Sequence, residues 1–419
     1  MPTYHRRHLL KLAGTGVAAG LAGGRLLNMS HAQAAPTAQA VTSGPMHHFF
    51  GYYDHDQFDA TDRLLLATEI GFIDRPPQPD DAVTLGMVDL QGGNRWVPLA
   101  VTHAWCWQQD SMMQWLGSAP DRLVIYNARA GDTFCAVVRD VQRGETRTLS
   151  RPVYAASPDG KLGVSLNFAR LAVTRPGYGY VGLPDPWHDV SHPDDDGLYI
   201  VDLQTGDSRL IISYAQIVGI RHEAGMEGTK HWFNHLLFSP DGRRFISLHR
   251  WRPPGAAGWK TRMFTANADG SDIHVVADHD MVSHFIWRDA THILAWSREP
   301  ETGDHFHLYT DQTDEVQVVG DGLLTVDGHC SYSPDKRWIL TDTYPDRERN
   351  RRLLLFRVAD QKVIELGRFY APRELDGEIR CDLHPRWNRA GTHVCIDSVH
   401  ENQRQVYLLD VSDIVRQPP

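Results

Sequence analysis

The chain has 419 residues, 42% hydrophobic and 22% charged, which is the composition of a folded soluble protein. A formal charge of −10 removes any general attraction to nucleic acid or acidic lipid, so an anionic substrate has to be met by local arginines. Five cysteines, an odd number without C-x-x-C spacing, argue against a disulfide framework.

At the N-terminus, Arg6-Arg7 precede His-Leu-Leu-Lys, a mildly apolar run rich in Ala and Gly, and then Ala32-Gln33-Ala34. A basic start, an apolar stretch and an A-x-A site predict a signal peptide over residues 1–34, and the paired arginines predict the twin-arginine route. The run is too weakly apolar to predict a membrane span. The mature protein is therefore expected in the periplasm or outside the cell, without a membrane span and as a monomer. Residues 35–46 read as a flexible lead. The segment from about Val41 is also a candidate for the outer strand of the last repeat, which lacks one. HHFFGYYDHDQF then brings His47, His48, Tyr52, Tyr53 and Asp54 just ahead of the first repeat marker.

From there one pattern recurs: a marker residue, often in the form His-x-x-aromatic, then a polar turn, then an alternating apolar strand. HWFNHLLFSPDGRRFISLHRW, with marker His235, is the fullest copy. His55, His284, His329 and His384 head further copies, and Met112 and Val153 head two weaker ones. Each copy is followed by an apolar run broken by a polar turn, as in LYIVDLQTGDSRLII. Period-two alternation with Gly and Asp at the turns predicts two β-hairpins per copy. The predicted fold class is all-β, a seven-bladed β-propeller of four-stranded antiparallel blades. It forms one domain over residues 47–419 rather than the two or three that length alone allows. The marker precedes or opens the innermost strand of each blade. His55, His235, His284, His329 and His384 are therefore expected to converge at one mouth of the central channel.

Two insertions interrupt the pattern. SLNFARLAVTRPGYGYVGLPDPWHDVSHPDDDG lies in the third repeat and RHEAGMEGTKHWFNH precedes the fourth. The first is dominated by Pro, Gly and Asp and reads as a long loop, and such loops in compact folds are functional or disordered. The tyrosines and arginines of RLAVTRPGYGY favour function. Both insertions are expected on the face that carries the markers.

HFFGYYDHDQFDATDRLLL, the WQQ…MQWL segment, NFARL…RPGYGY, DGHCSYSPDKRWILTDTYP and RCDLHPRWNRAGTHVCIDS together resemble the seven-bladed polysaccharide lyases. The ulvan-lyase type is the nearer resemblance, the oligogalacturonate lyases the more distant, and it runs from about His47 to Val411. SPDG turns are shared by all TolB-like propellers, whereas RPGYGY and DGHCSYSPD are more specific. The resemblance implies β-elimination at a uronic acid: the C6 carboxylate is neutralised, the C5 proton is removed and the leaving oxygen at C4 is protonated. It matches Tyr178 or Tyr180 to the catalytic tyrosine and sets Arg170 or Arg175 against the carboxylate, with Arg250 as a further candidate. His48 and His235 are candidates for the base or the carboxylate neutraliser. Where ulvan lyases carry a catalytic histidine, this chain has Gln108, Gln109 and Gln114, which hydrogen-bond but do not titrate. Gln108 and Gln114, with Arg175 and Tyr53, are read as substrate-binding.

Imidazoles and one thiolate at a channel mouth suit zinc, and the resemblance also suggests a bound zinc. His235, His284 and Cys330 are the predicted ligands, with His329 and Asp280 in reserve. The expected function is a polysaccharide lyase acting on an anionic, uronic-acid glycan. Two other readings stand beside it. A non-catalytic TolB-like binding or assembly module would bind without turnover. A metal-dependent glycan hydrolase would release saturated ends.

Overall fold

Alternating strands that bury one face need a neighbour to bury it against, and a ring gives every blade two. The computed structural model describes residues 35–417, so the predicted signal peptide lies outside the described residues. Each repeat forms a four-stranded antiparallel sheet, and seven such blades make the propeller. Blade four consists of His231–Phe238, Arg244–Trp251, Lys260–Asn267 and His274–Ala277 in that spatial order. Between blades, apolar side chains of one sheet meet those of the next. Ile246 and Leu248 of blade four pack with Phe285, Trp287 and Ile293 of blade five. No described helix is long and apolar enough to cross a membrane.

The ring is joined by its two ends. Arg386–Trp387, His393–Ser398 and Gln405–Asp410 make the inner part of blade seven, and its outermost strand is Gln39–Ala40. Gln39 pairs with Leu408 and Ala40 with Tyr407. Val41 N–H donates to Val406 O at 2.9 Å, and Thr42 Oγ1 donates to Gln405 Oε1 at 2.6 Å. Residues 35–46, read from composition as a flexible lead, thus contain a paired strand. Two residues carry no periodicity, and their partner lies at the far end of the chain.

Ser-Pro-Asp turns hold the inner strands in register. Ser157, Ser239 and Ser333 each donate to the aspartate two positions on, at 2.7, 2.6 and 2.6 Å. Gly160 and Gly242 follow at φ +67° and +70°, the left-handed region that glycine enters without a Cβ penalty.

Bulges aim the marker histidines. In blade four the register shifts between Asn234 and Leu236, leaving His235 unpaired at φ +52°. In blade five it shifts between Val282 and Phe285, around His284. His384 sits at φ +42° just ahead of the strand Arg386–Trp387. A bulged residue leaves the ladder and its side chain is re-aimed, here into the channel.

Candidate active site at the channel hub

Tyr52 forms the centre of the hub. Its ring centroid lies 4.9 Å from His235, 5.1 Å from His384, 5.7 Å from His329 and 6.4 Å from His284. His284 and His329 are 4.0 Å apart, and His329 and His384 4.5 Å. Four markers from four blades therefore meet. His55 does not join them. His55 lies between the two parts of the innermost strand of blade one, His47–Phe49 and the bridge of Phe58 to Leu65. It lines a cavity of about 160 Å³ together with Gln114, Ala155 and Leu237 of the innermost strands of blades two, three and four.

Burial sets the charge state of this floor. It pushes His235 and His384 well below the usual histidine range and lowers His284, with Arg250 adding at His235 and His329 at the other two. These three imidazoles are uncharged at neutral pH, the form that binds a metal or accepts a proton. Asp342 grips Nδ1 of His329 at 3.0 Å and accepts from its backbone N–H at 2.7 Å. Asp327 grips Nδ1 of His284 at 2.9 Å. Such carboxylates fix the tautomer and aim the other nitrogen. Nε2 of His329 and both ring nitrogens of His384 are buried without a hydrogen-bond partner. With Asp382 they form a group whose ligand atoms lie within 4.8 Å of one another. Burial pushes the Asp382 carboxyl up, but Arg351 at 2.6 Å and Arg380 at 2.7 Å hold it well below the usual carboxylate range. Orphaned imidazole nitrogens beside an ionised carboxylate fit a divalent cation.

The ligand set differs from the predicted one. His235 stacks on Tyr52, outside this group. Cys330 packs among Leu294, Phe306 and Ile339, and burial pushes its thiol well above the usual range. His329 faces the channel, so the next residue of an extended chain faces away from it. Asp280 pairs with Lys260 at 2.9 Å with its carboxylate half exposed. His284 stands beside the group, while His329, held in reserve, belongs to it.

The RPGYGY loop follows the helix Phe168–Thr174, whose first turn is capped by Asn167 accepting from the Arg170 N–H at 2.9 Å. Tyr178 meets His235 edge-on at 5.5 Å, and its Oη accepts from Arg380 Nη2 at 2.7 Å. The Arg175 guanidinium lies 4.4 Å from the Tyr178 ring. Arg250 donates to Thr261 Oγ1 at 3.1 Å and to Val282 O at 3.4 Å. Burial and then Arg175 lower its pKa to about 10, which still leaves it charged at neutral pH. Neither arginine has a carboxylate partner among the described residues.

The glutamines serve as fasteners. Gln108 Nε2 donates to the carbonyls of Glu378 and Arg380, both at 3.0 Å, and its backbone N–H donates to Gly177 O at 3.1 Å. It thereby ties the loop of Tyr178 to the loop of Arg380. The Gln109 amide meets Tyr154 Oη and, at 3.2 Å, His235 Nδ1. Tyr53 is also engaged: its Oη donates to Phe285 O at 2.6 Å and accepts from Phe285 N–H at 2.9 Å, pinning the bulged strand of blade five.

Four predicted site residues lie elsewhere. Tyr180 stacks on Phe168 at 4.3 Å in the core, with Oη accepting from Asn127 at 2.9 Å. At Gly179 a Cβ would stand 2.1 Å from Ala172 N, so the chain presses onto its own helix there and turns Tyr180 inward. Arg170 is wholly buried and staples the insertion, donating to the carbonyls of His231, Trp187, Val190 and Ser191 with Asp185 at 3.5 Å. His48 sits between Gln405 at 3.0 Å and Glu69 at 3.3 Å, against Trp96. Gln114 lines the cavity of His55, its Oε1 accepting from Ala156 N–H at 3.3 Å.

Arg380, Asp382, Asp342, Arg351 and Gln109 were not predicted to act here. RCDLH did carry a signal, because alternate residues of an extended run share one side and so bring Arg380, Asp382 and His384 together. Nothing local marks Asp342 or Arg351, which arrive from the second and third strands of blade six.

No protein-family model and no curated protein matches the chain. Solved structures do. An oligogalacturonate lyase of Vibrio parahaemolyticus matches with a TM-score of 0.63 at 15% identity, over 91% of this chain and 95% of its own. An oligogalacturonate lyase in complex with manganese matches with a TM-score of 0.65 at 16% identity, over 92% and 96%. The propeller domain of the Trilobed protease of Pyrococcus furiosus reaches a TM-score of 0.50 at 9% identity, over 86% and 96%. At these identities the likeness establishes the fold, a seven-bladed propeller similar to that of the oligogalacturonate lyases.

Proposed function

We propose that the protein is a polysaccharide lyase that cleaves a uronic-acid glycan by β-elimination at the hub. The observation that carries this reading is a pair of guanidiniums without counter-ions beside Tyr178 and His235: Arg250, which is buried, and Arg175, which is half-buried with its Nε enclosed. Buried cations without a partner call for an anion, and arginine presents a fork matched to a carboxylate. In the proposed reaction Arg175 and Arg250 hold the C6 carboxylate and neutralise the charge that develops when the C5–H bond breaks. Gln109 Oε1 has no partner as placed. Turning the amide so that this oxygen accepts from Nδ1–H of His235 frees the Nε2 lone pair to take the C5 proton. The electrons of the C5–H bond form the C4=C5 double bond, the C4–O bond breaks, and the Tyr178 hydroxyl protonates the leaving oxygen. His235 and Tyr178 thus end with the proton moved between them, ready to be reset. A divalent ion held by His329, Asp382 and His384 would supply Lewis-acid polarisation of the bound carboxylate. Zinc and manganese both suit two imidazoles and a carboxylate.

The twin-arginine export expected from residues 1–34 would place this activity in the periplasm or outside the cell. The test is a panel of uronic-acid glycans, ulvan and galacturonan oligomers included, read by the ultraviolet absorbance of the unsaturated product. One or more glycans should respond, and chelation should reduce the rate. Silence across the panel with folded, metal-loaded protein rejects the lyase, and tight binding without turnover would favour the non-catalytic module.

A further inference from the structure

Two charged guanidiniums at one site repel, and a protein usually separates or neutralises them. Here neither happens. Arg175 arrives from the insertion in blade three and Arg250 from the second strand of blade four. Arg175 Nε has no hydrogen-bond partner, and the partners of Arg250 are the neutral oxygens of Thr261 and Val282. Burial and the charge on Arg175 weaken the hold of Arg250 on its proton.

Trp259 is the group the two share. The Arg175 guanidinium carbon lies 4.6 Å from the indole and 4.4 Å from the Tyr178 ring, so two aromatic rings flank it. The Arg250 guanidinium carbon lies 5.8 Å from the same indole. An aromatic face attracts a cation but supplies no negative charge and takes up no N–H group. An aspartate in this place would neutralise the pair and occupy the donors that a substrate needs. Trp259 itself is half-buried at the end of the loop 252–259, whose residues 254–258 are exposed, so the indole anchors that loop over the arginines.

We infer that Trp259 is the positioning residue of an anion site: its indole keeps Arg175 and Arg250 together, charged and with donors uncommitted, for the carboxylate of a uronate. This rests on the uronate reading of the hub and adds to it that selectivity for the free acid over its neutral ester is set by a residue that need not touch the carboxylate.

The test compares binding of galacturonate and glucuronate trisaccharides, each as free acid and as methyl ester, by calorimetry on metal-loaded protein. No turnover is required. Wild type should prefer the acid of one or both sugars. Trp259→Leu keeps an apolar side chain without the ring and should cut that preference about tenfold, with ester binding unchanged. Trp259→Phe restores a weaker aromatic face and should lose only about threefold. A leucine variant with the full wild-type preference overturns the role of Trp259 and leaves the uronate reading standing. A wild-type protein that prefers neither acid removes the uronate reading itself, and the inference with it. If the leucine variant does not fold, the phenylalanine variant decides, and an undiminished preference there overturns the inference.

Discussion

Tyr178 and Tyr180 stand two positions apart in one loop, and removing their hydroxyls one at a time should give opposite results. In Tyr178→Phe the ring can stay beside Arg175 and His235, while Arg380 loses an acceptor at 2.7 Å. Arg380 keeps Asp382 at 2.7 Å and Gly377 O at 2.9 Å, so the stability cost is about 1 kcal/mol. Loss of the acid that protonates the leaving oxygen should lower turnover about 10²- to 10⁴-fold. In Tyr180→Phe, Asn127 loses a bond of 2.9 Å but keeps its bond to Val153 O at 2.8 Å, and the stack on Phe168 remains. That variant should also lose about 1 kcal/mol, with turnover close to wild type. Denaturant melts give the stabilities, and initial rates on a responsive glycan, normalised to folded protein, give the turnover. Equal losses of rate in both variants, or a wild-type rate in Tyr178→Phe, would refute the placement.

Arg170→Met should destabilise by about 3 to 5 kcal/mol and open the insertion to protease, because Asp185 loses a buried partner and four carbonyls lose their donor; a folded variant that loses only turnover would return Arg170 to the chemistry. Deleting residues 35–42 should cost about 3 to 5 kcal/mol and expose Gln405–Asp410 to hydrogen exchange, since the bonds of Val41 and Thr42 and the burial of Val41 are lost; an unchanged melt would deny that this strand closes the ring. Acid should weaken blade four. Arg262 donates to His249 Nδ1 at 3.1 Å, His249 Nε2 meets His231 Nδ1 at 2.9 Å, and His231 Nε2 meets Met226 O at 3.1 Å, a chain that works only with both rings neutral. Burial pushes His231 down from 6.5 to about 4, so the unfolded chain takes up the proton first. Its contribution is present above the unfolded value and is lost as pH falls from there to about 4, which amounts to about 2 to 3 kcal/mol near pH 4.5. His231→Gln should show a shallower loss of stability than wild type over that window, and parallel curves would contradict the assignment.

The ring was legible because its cause is local. Alternation along HWFNHLLF and RRFISLHRW exposes one apolar face per strand, and a turn such as SPDG fixes the hairpin by itself. The convergence of His235, His284, His329 and His384 followed from repeat phase. His55 shares that phase, three residues ahead of Phe58 as His235 is of Phe238, but its side chain lines a cavity with Gln114 and Leu237. Roles were less legible than positions. Arg170 and Arg175 lie on one short segment, as do Tyr178 and Tyr180. Which member of each pair faces the hub depends on Gly179 pressing against the helix and on carbonyls that residues 187–191 bring to Arg170.

Sequence alone therefore determined the architecture, the number of blades and the candidate set from which the hub histidines come, since these depend on period and phase, which a linear chain records. Tertiary structure decided the rest. It joined Gln39–Ala40 to Tyr407 and Leu408, brought Asp382 and Asp342 to His329, sent Cys330 into the core, and set Trp259 beside two arginines from different blades. The pairings of Gln39–Ala40 with Tyr407 and Leu408, of Asp382 with His329 and of Arg175 with Trp259 join segments far apart in the chain, and closure of the ring and burial select the partner in each.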